Sequence, residues 1–291
     1  MEFIGFIGLG DQGGPIAEKL LQAGQNVSVW ARRAEAAAAY RALGAEVSVS
    51  AAELAARSHV LALCVTGDND VRELAGNGVL AAMRPGSVLM IHSTIYPETC
   101  RDLAREGARR GVSVVDAPVS GSAARARAGT LVTMLGGDAA AVARMAPLVS
   151  IFSDPVVIVG AAGSAMTAKL VNNLMAAVNY ATAYDALALG AGNGVPGDVL
   201  REIALTGSGR NYGFDLMPRA HRPERAAHIA RILGKDVDLA LAALPGVRES
   251  DLGRLALRAI AIIEGFARGE GLLVTPQSDA EAYPQNAEIT A

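Results

Sequence analysis

Four short stretches carry residue types whose spacing can do chemistry. The first is Gly8-Leu9-Gly10-Asp11-Gln12-Gly13, a G-x-G-x-x-G pattern directly after the apolar run "FIGFI". Glycines at this spacing allow a tight turn and let the backbone approach a pyrophosphate. The helix that follows offers N–H groups and a partial positive charge. Such a pattern alone is no more than a glycine-rich turn; its place between a strand and a helix makes it a dinucleotide loop. The second stretch is Arg32-Arg33, just past the next apolar run "NVSVWA". An NAD site usually carries Asp or Glu at this strand end for the ribose 2′-hydroxyl. Here the first carboxylate is Glu35. Two guanidinium groups suit a 2′-phosphate, so NADP(H) is expected as the preferred cofactor, with NAD(H) usable.

The third stretch is Ser120-Gly121-Ser122 within "DAPVSGSAARARAGTL". Its hydroxyls and backbone N–H groups, in a flexible turn after a strand, can hold a small carboxylate, although without context it is a plain loop. The fourth is "GSAMTAKLVNN", residues 163–173. Lys169 and Asn173 lie four apart and share a helix face, with Asn172 close by. An ammonium within reach of a carbonyl polarises it and donates a proton as negative charge develops on oxygen. An asparagine can orient that lysine without titrating. On these residues alone, a surface lysine snorkelling over an apolar helix is the simpler reading. The four histidines and the cysteines Cys64 and Cys100 show no metal-ligand spacing, and no metal is expected.

These stretches need elements to position them. The chain has 291 residues, 51% apolar and 19% charged, which is enough for a substantial core in one large or two medium domains. Strand-like and helix-like runs alternate to about residue 160: "FIGFIGLG", "GGPIAEKLLQAG", "NVSVWA", "AEAAAAYRALG", "HVLALCV", "SVLMIHST", "YPETCRDLAREGARRG", "VSVVDAPV". That alternation implies a parallel sheet with right-handed crossovers. Residues 164–192 read as one long helix. From Gly197 to about Arg268 the pattern is all-helical, with stops at "TGSGRNYG", "LPG" and "RGEG". The expected architecture is therefore α/β. An N-terminal Rossmann-type doubly wound sheet spans 1–160, a long interdomain helix and an all-α domain span 161–275, and 276–291 form a polar tail.

The blocks "GFIGLGDQGGPIA", "HSTIYPET", "DAPVSGSAARARAGTLVTMLGG", "GSAMTAKLVNN" and "GKDVDLALA" occur in an order and spacing that resemble the β-hydroxyacid dehydrogenase family. The resemblance runs from Gly5 to about Ala240. It implies that Lys169 is catalytic and that Asn173 helps hold lysine and substrate. It further implies that Ser120 and Gly121 take the substrate carboxylate, with Ser122 beside them. Ser93 and Thr94 would lie next to the nicotinamide, Cys64-Val65 in the cofactor region, and Lys235 near both cofactor and substrate. The chain departs from the family's pattern at Ser122 (often glycine), at Gln12 (often methionine), at His92 before Ser93, and in the segment "PRAHRPERAAHIARILGKD", which lacks the family's aromatics.

The expected protein is an NADP(H)-preferring oxidoreductase that interconverts a short aldehyde- or keto-acid and its hydroxyacid. An imine reductase is one rival, against which Lys169 argues. A catalytically silent NADPH-binding protein is the other, against which the intact set of Lys169, Asn173 and Ser120 argues. The net charge of -3 and the absence of a basic run exclude nucleic acid as an expected partner. The most apolar stretch, Leu170 to Leu189, is interrupted by Asn172, Asn173, Asn179 and Asp185, so no membrane span is expected. The opening residues lack the marks of a secretory signal, and a cytoplasmic protein is expected. The family resemblance adds a homo-oligomer, dimer or tetramer.

Overall fold

A computed structural model describes residues 2–220 and 222–270. The expected tail 276–291 lies outside the described residues. The chain divides into two compact units, one ending at Val171 and one beginning at Asn172. This division falls inside the long helix, past the 160/161 boundary expected from the sequence.

The first unit runs β1 (Phe3–Ile7), α1 (Gly13–Gln22), β2 (Asn26–Trp30), α2 (Ala34–Arg41), β3 (Glu46–Val47), α3 (Ala51–Arg57) and β4 (Val60–Leu63). It continues with α4 (Asp68–Leu74), a π turn (Ala75–Val79), α5 (Leu80–Ala82), β5 (Val88–Ile91), α6 (Pro97–Arg109) and β6 (Ser113–Asp116). It closes with β7 (Val119–Ser120), α7 (Ala123–Ala128), β8 (Leu131–Gly137), α8 (Ala139–Val149) and β9 (Ser153–Gly160). The sheet order is β3-β2-β1-β4-β5-β6-β8-β7, with β9 on β8. From β3 to β6 every pairing is parallel, as the alternating pattern requires. Beyond β6 the expectation of a parallel sheet is corrected: β8 runs antiparallel to β6 and β7. Across Ala117-Pro118, β7 continues the line of β6 along β8 in one register, and the chain comes back through α7 into β8, so this part is an antiparallel return rather than a crossover.

The central strands are apolar without alternation because helices cover both faces of the sheet. Within β4, Val60 and Ala62 join a cluster with Phe6, Val29 and Val115. Leu61 and Leu63 join a separate one with Leu54, Ile91 and Met166. One continuous run thus feeds two cores through the period of two. The strand order reverses between β1 and β4, and there the chain ends of β1, β2, β4 and β5 bring the glycine loop, Arg32, Cys64-Val65 and Ser93-Thr94 to one edge of the sheet.

The helix α9 (Ser164–Gly192) bears Lys169 in its second turn and continues into the second unit. That unit adds α10 (Gly197–Thr206), α11 (Tyr212–Ala220), α12 (Pro223–Ala243) and α13 (Asp251–Ala267), and no strand among the described residues. The ends of α10, α12 and α13 fall at the expected stops. The break between α11 and α12 was not foreseen, though Pro223, in the first turn of α12, signals it. Tyr180 is fully buried, Tyr184 packs edge-on against Phe266, and Asp185 pairs with Arg258. All three serve packing within the unit.

Candidate active site

In the glycine loop each glycine answers a different demand. Gly8 has φ +100, and a Cβ there would sit 2.2 Å from the Cys64 carbonyl oxygen. A Cβ on Gly13 would sit 2.0 Å from the Gly8 oxygen and 2.9 Å from the Cys64 Cβ. These two positions are closed by packing. At Gly10 a Cβ would meet nothing within 4 Å, so that backbone faces open space. No side chain caps the first turn of α1; within it the Gly14 N–H donates to the Gly10 oxygen at 2.9 Å and Pro15 has no N–H, so an anion would be met by the other N–H groups of the loop and helix start. The Gln12 Nε2 is buried with no hydrogen-bond partner among the described residues. A loop closed below, open above and uncapped fits the pyrophosphate of a dinucleotide. Leu9 is half-buried and Asp11 is exposed.

At the end of β2, Arg33 is exposed at the start of α2. Arg32 reaches across to α4, where its Nη2 lies 3.0 Å from Asp70 Oδ1. No acid at the strand end itself replaces the missing carboxylate. Next along the edge, the Val65 N–H donates to Ser93 Oγ at 2.8 Å and the Cys64 N–H to the Ile7 oxygen at 2.8 Å. These bonds tie the ends of β1, β4 and β5 together. Thr94, the neighbour of buried Ser93, is half-buried. Burial pushes the Cys64 thiol up to about 12, which leaves it uncharged and inert at neutral pH.

His92, the unusual neighbour of Ser93, is a core residue. Its Nδ1–H donates to the Ala117 oxygen at 2.7 Å, and its ring stacks on Phe6 and meets Phe152 edge-on. Burial lowers its pKa to about 4, so the imidazole is neutral. Among the described residues no group of three or more His, Cys, Asp or Glu could hold a metal ion.

Past β6 the chain turns at Pro118 into β7, which places Ser120 half-buried and Gly121 exposed. Gly121 has φ +137, and a Cβ there would press within 2.7 Å of Leu131 Cδ2. Ser122 caps α7: its Oγ accepts the Arg125 N–H at 3.4 Å. This gives a local reason for serine where the family often has glycine, and leaves the hydroxyl hydrogen for a ligand. Asp116, fully buried at the end of β6, accepts the Gly163 N–H at 2.9 Å and the Met166 N–H at 3.1 Å. It thereby clamps the first turn of α9. Burial raises its pKa, and these backbone N–H groups pull it back.

Lys169 is only 8% exposed, which overturns the surface-lysine alternative. Asn173 follows one helical turn later and is equally buried. Within the second unit its Nδ2 donates to Asp236 Oδ2 at 2.5 Å, while Lys235 Nζ lies 3.0 Å from Asp236 Oδ1. Asn172 donates to Asn173 Oδ1 at 3.2 Å. Asp236 therefore holds Asn173 by a hydrogen bond and pairs with its chain neighbour Lys235 by charge. Sequence reasoning missed it, and the only signal was its place directly after Lys235. Asp70, Asp116 and Asp68 were missed as well, because Arg32, Gly163 and Thr99 reach them through the sheet topology, although Arg72 pairs with Asp68 within α4 itself. No helix among the described residues is long and apolar enough to cross a membrane.

Residues 3–160 match the family described as the NAD binding domain of 6-phosphogluconate dehydrogenase. Residues 163–253 match the family described as NAD-binding of NADP-dependent 3-hydroxyisobutyrate dehydrogenase. A 3-hydroxyisobutyrate dehydrogenase of Pseudomonas aeruginosa is 34% identical over 285 residues, covering 94% of this chain and 96% of the relative. An NAD-dependent L-serine dehydrogenase of the same organism is 33% identical over 281 residues, covering 92% and 94%. The solved structure of Mycobacterium tuberculosis 3-hydroxyisobutyrate dehydrogenase with L-serine is similar with a TM-score of 0.80 and 28% identity, over 92% of this chain and 94% of that one.

Proposed function

The chain belongs to the β-hydroxyacid dehydrogenase family, and on that premise we propose that it is an NADP(H)-preferring reductase of a short aldehyde- or keto-acid, giving the hydroxyacid. That it is an NAD(P)-dependent oxidoreductase follows from the family itself. The finer reading is carried by one observation: a buried lysine sits one turn before a buried asparagine that Asp236 holds in place.

A bound reduced nicotinamide supplies the hydride. Lys169 hydrogen-bonds the carbonyl oxygen and donates its proton as charge develops there, and in the reverse direction it accepts the alcohol proton. Asn173 orients lysine and substrate without changing charge. Lys235, held by the same aspartate, adds positive potential beside cofactor and substrate. The Ser120 hydroxyl and the Gly121 N–H hold the substrate carboxylate, with the Ser122 hydroxyl hydrogen as a further donor. The loop Gly8 to Gly13 holds the pyrophosphate. Cys64-Val65 and Ser93-Thr94 line the cofactor, the latter pair at the nicotinamide. Arg32 and Arg33 read the 2′-phosphate. The relatives do not choose the cofactor, since one matching family is described as NADP-dependent and one relative as NAD-dependent. The choice rests on two arginines where a carboxylate would otherwise stand.

Oxidation of NADPH and of NADH, followed by absorbance, tests this against glyoxylate, succinic semialdehyde, tartronate semialdehyde and methylmalonate semialdehyde, with one cyclic imine as control. The expected result is turnover of an acid aldehyde, faster with NADPH. In the same assay Lys169→Ala should lower kcat by about a thousandfold with NADPH affinity nearly unchanged. Turnover of the imine alone, or near-normal turnover by the variant, would overturn the reading.

A further inference from the structure

The first turn of α4 is held by the start of α6 on one side and reaches Arg32, at the end of β2, on the other. Asp68, 9% exposed, accepts the Thr99 hydroxyl at 2.6 Å and the Tyr96 N–H at 3.1 Å through Oδ1, and the Arg72 Nε–H at 2.6 Å through Oδ2. A carboxylate with three donors fixes the turn that carries it. Two residues on, Asp70 projects from this fixed turn to Arg32 at the end of β2, with 3.0 Å between Oδ1 and Nη2. The side chain of Asp70 is 22% exposed and that of Arg32 is 69% exposed, so the remaining guanidinium N–H groups stay open to solvent.

We infer that Asp70 is a positioning residue for Arg32, and that through it this chain sets its preference for a 2′-phosphorylated dinucleotide. The inference rests on the NADP(H) reading above. A free arginine at a strand end samples many rotamers, and ordering it on a phosphate opposes binding through lost side-chain entropy. Asp70 orders the guanidinium before the cofactor arrives. It engages one edge of the planar fork, and the other donors remain for the phosphate oxygens. As a surface pair it contributes little to stability, so its effect belongs in cofactor selection.

The test measures dissociation constants of the full chain for NADPH and NADH by nicotinamide fluorescence. Asp70→Ala should weaken NADPH about fivefold and leave NADH unchanged. Asp70→Glu, which keeps the carboxylate, should recover most of the loss. In an Arg32→Ala background, Asp70→Ala should have no further effect. Tighter NADPH binding in Asp70→Ala would mean that the carboxylate repels the 2′-phosphate, and would overturn the inference. Equal weakening of both cofactors would do so too, by making the effect one of folding. If Arg32→Ala alone leaves the NADPH-to-NADH ratio unchanged, the NADP(H) reading itself fails. If Arg32→Ala lowers that ratio while Asp70→Ala does not, only the role of Asp70 fails.

Discussion

The two units hold their functional residues by different means. In the first, the backbone does most of the positioning. Strand ends fix the glycine loop, Cys64-Val65, Ser93 and Ser120, and close backbone approaches at Gly8 and Gly13 leave no slack. In the second, one buried carboxylate does the work: Asp236 holds Asn173 and Lys235, which lie 62 residues apart. A site built from backbone should be intolerant of added atoms, and a site built around one side chain should be intolerant of its removal. The contrast can be broken by substitution in each unit.

The largest effect should come from Gly13→Ala, whose Cβ would fall 2.0 Å from the Gly8 oxygen. We expect a loss of about 4 kcal/mol or failure to fold, read by denaturant unfolding. Gly10→Ala should leave stability nearly unchanged and weaken NADPH, since its Cβ enters open space that the pyrophosphate would use. Equal stability of the two variants would sink the division of roles in the loop. Next, Asp236→Ala should lower kcat about a hundredfold, close to 3 kcal/mol of transition-state stabilisation, while KM for NADPH moves little. Asp236→Asn should recover part of the loss by keeping an acceptor for the Asn173 amide. A loss of NADPH affinity matching the loss of kcat would show that Asp236 serves the cofactor instead.

A smaller effect should appear with pH in the first unit. His92 titrates near 4 in the folded chain, below the ordinary value of 6.5. The unfolded chain therefore takes up its proton first on acidification. The stability is complete above pH 6.5 and falls as pH drops toward 4, by about 2 kcal/mol between pH 7 and pH 5 from this group alone. His92→Gln keeps a donor for the Ala117 oxygen and cannot titrate in this range. Chemical denaturation at the two pH values should show a smaller drop in this variant than in the parent chain. An identical drop would remove His92 as the cause.

Much of the first unit was legible because its signals are local. The glycine spacing, the apolar strand runs and Pro97 at the start of α6 each act within a few residues of where they stand. Ser122 shows the limit of that legibility. Its hydroxyl could be read as a ligand donor, but its capping of α7 could not be weighed against that use. Beyond β6 the alternating pattern misled, because the period of a strand does not encode its direction, and β8 returns beside β6 and β7 after α7 instead of crossing over the sheet.

The residue types at the reacting positions, Lys169, Asn173, Ser120, and the two arginines in place of a carboxylate, were set by the sequence itself, since their chemistry belongs to the side chain. Which of them are buried, and what holds them, was decided only by the fold. Lys169 reads as a surface residue until the fold buries it. Asp236, Asp116 and Asp70 act on partners far away in the chain, and a pairing between distant residues has no local signature. Burial and long-range pairing are properties of three-dimensional neighbours, and the chain acquires those only when the sheet and the helices close.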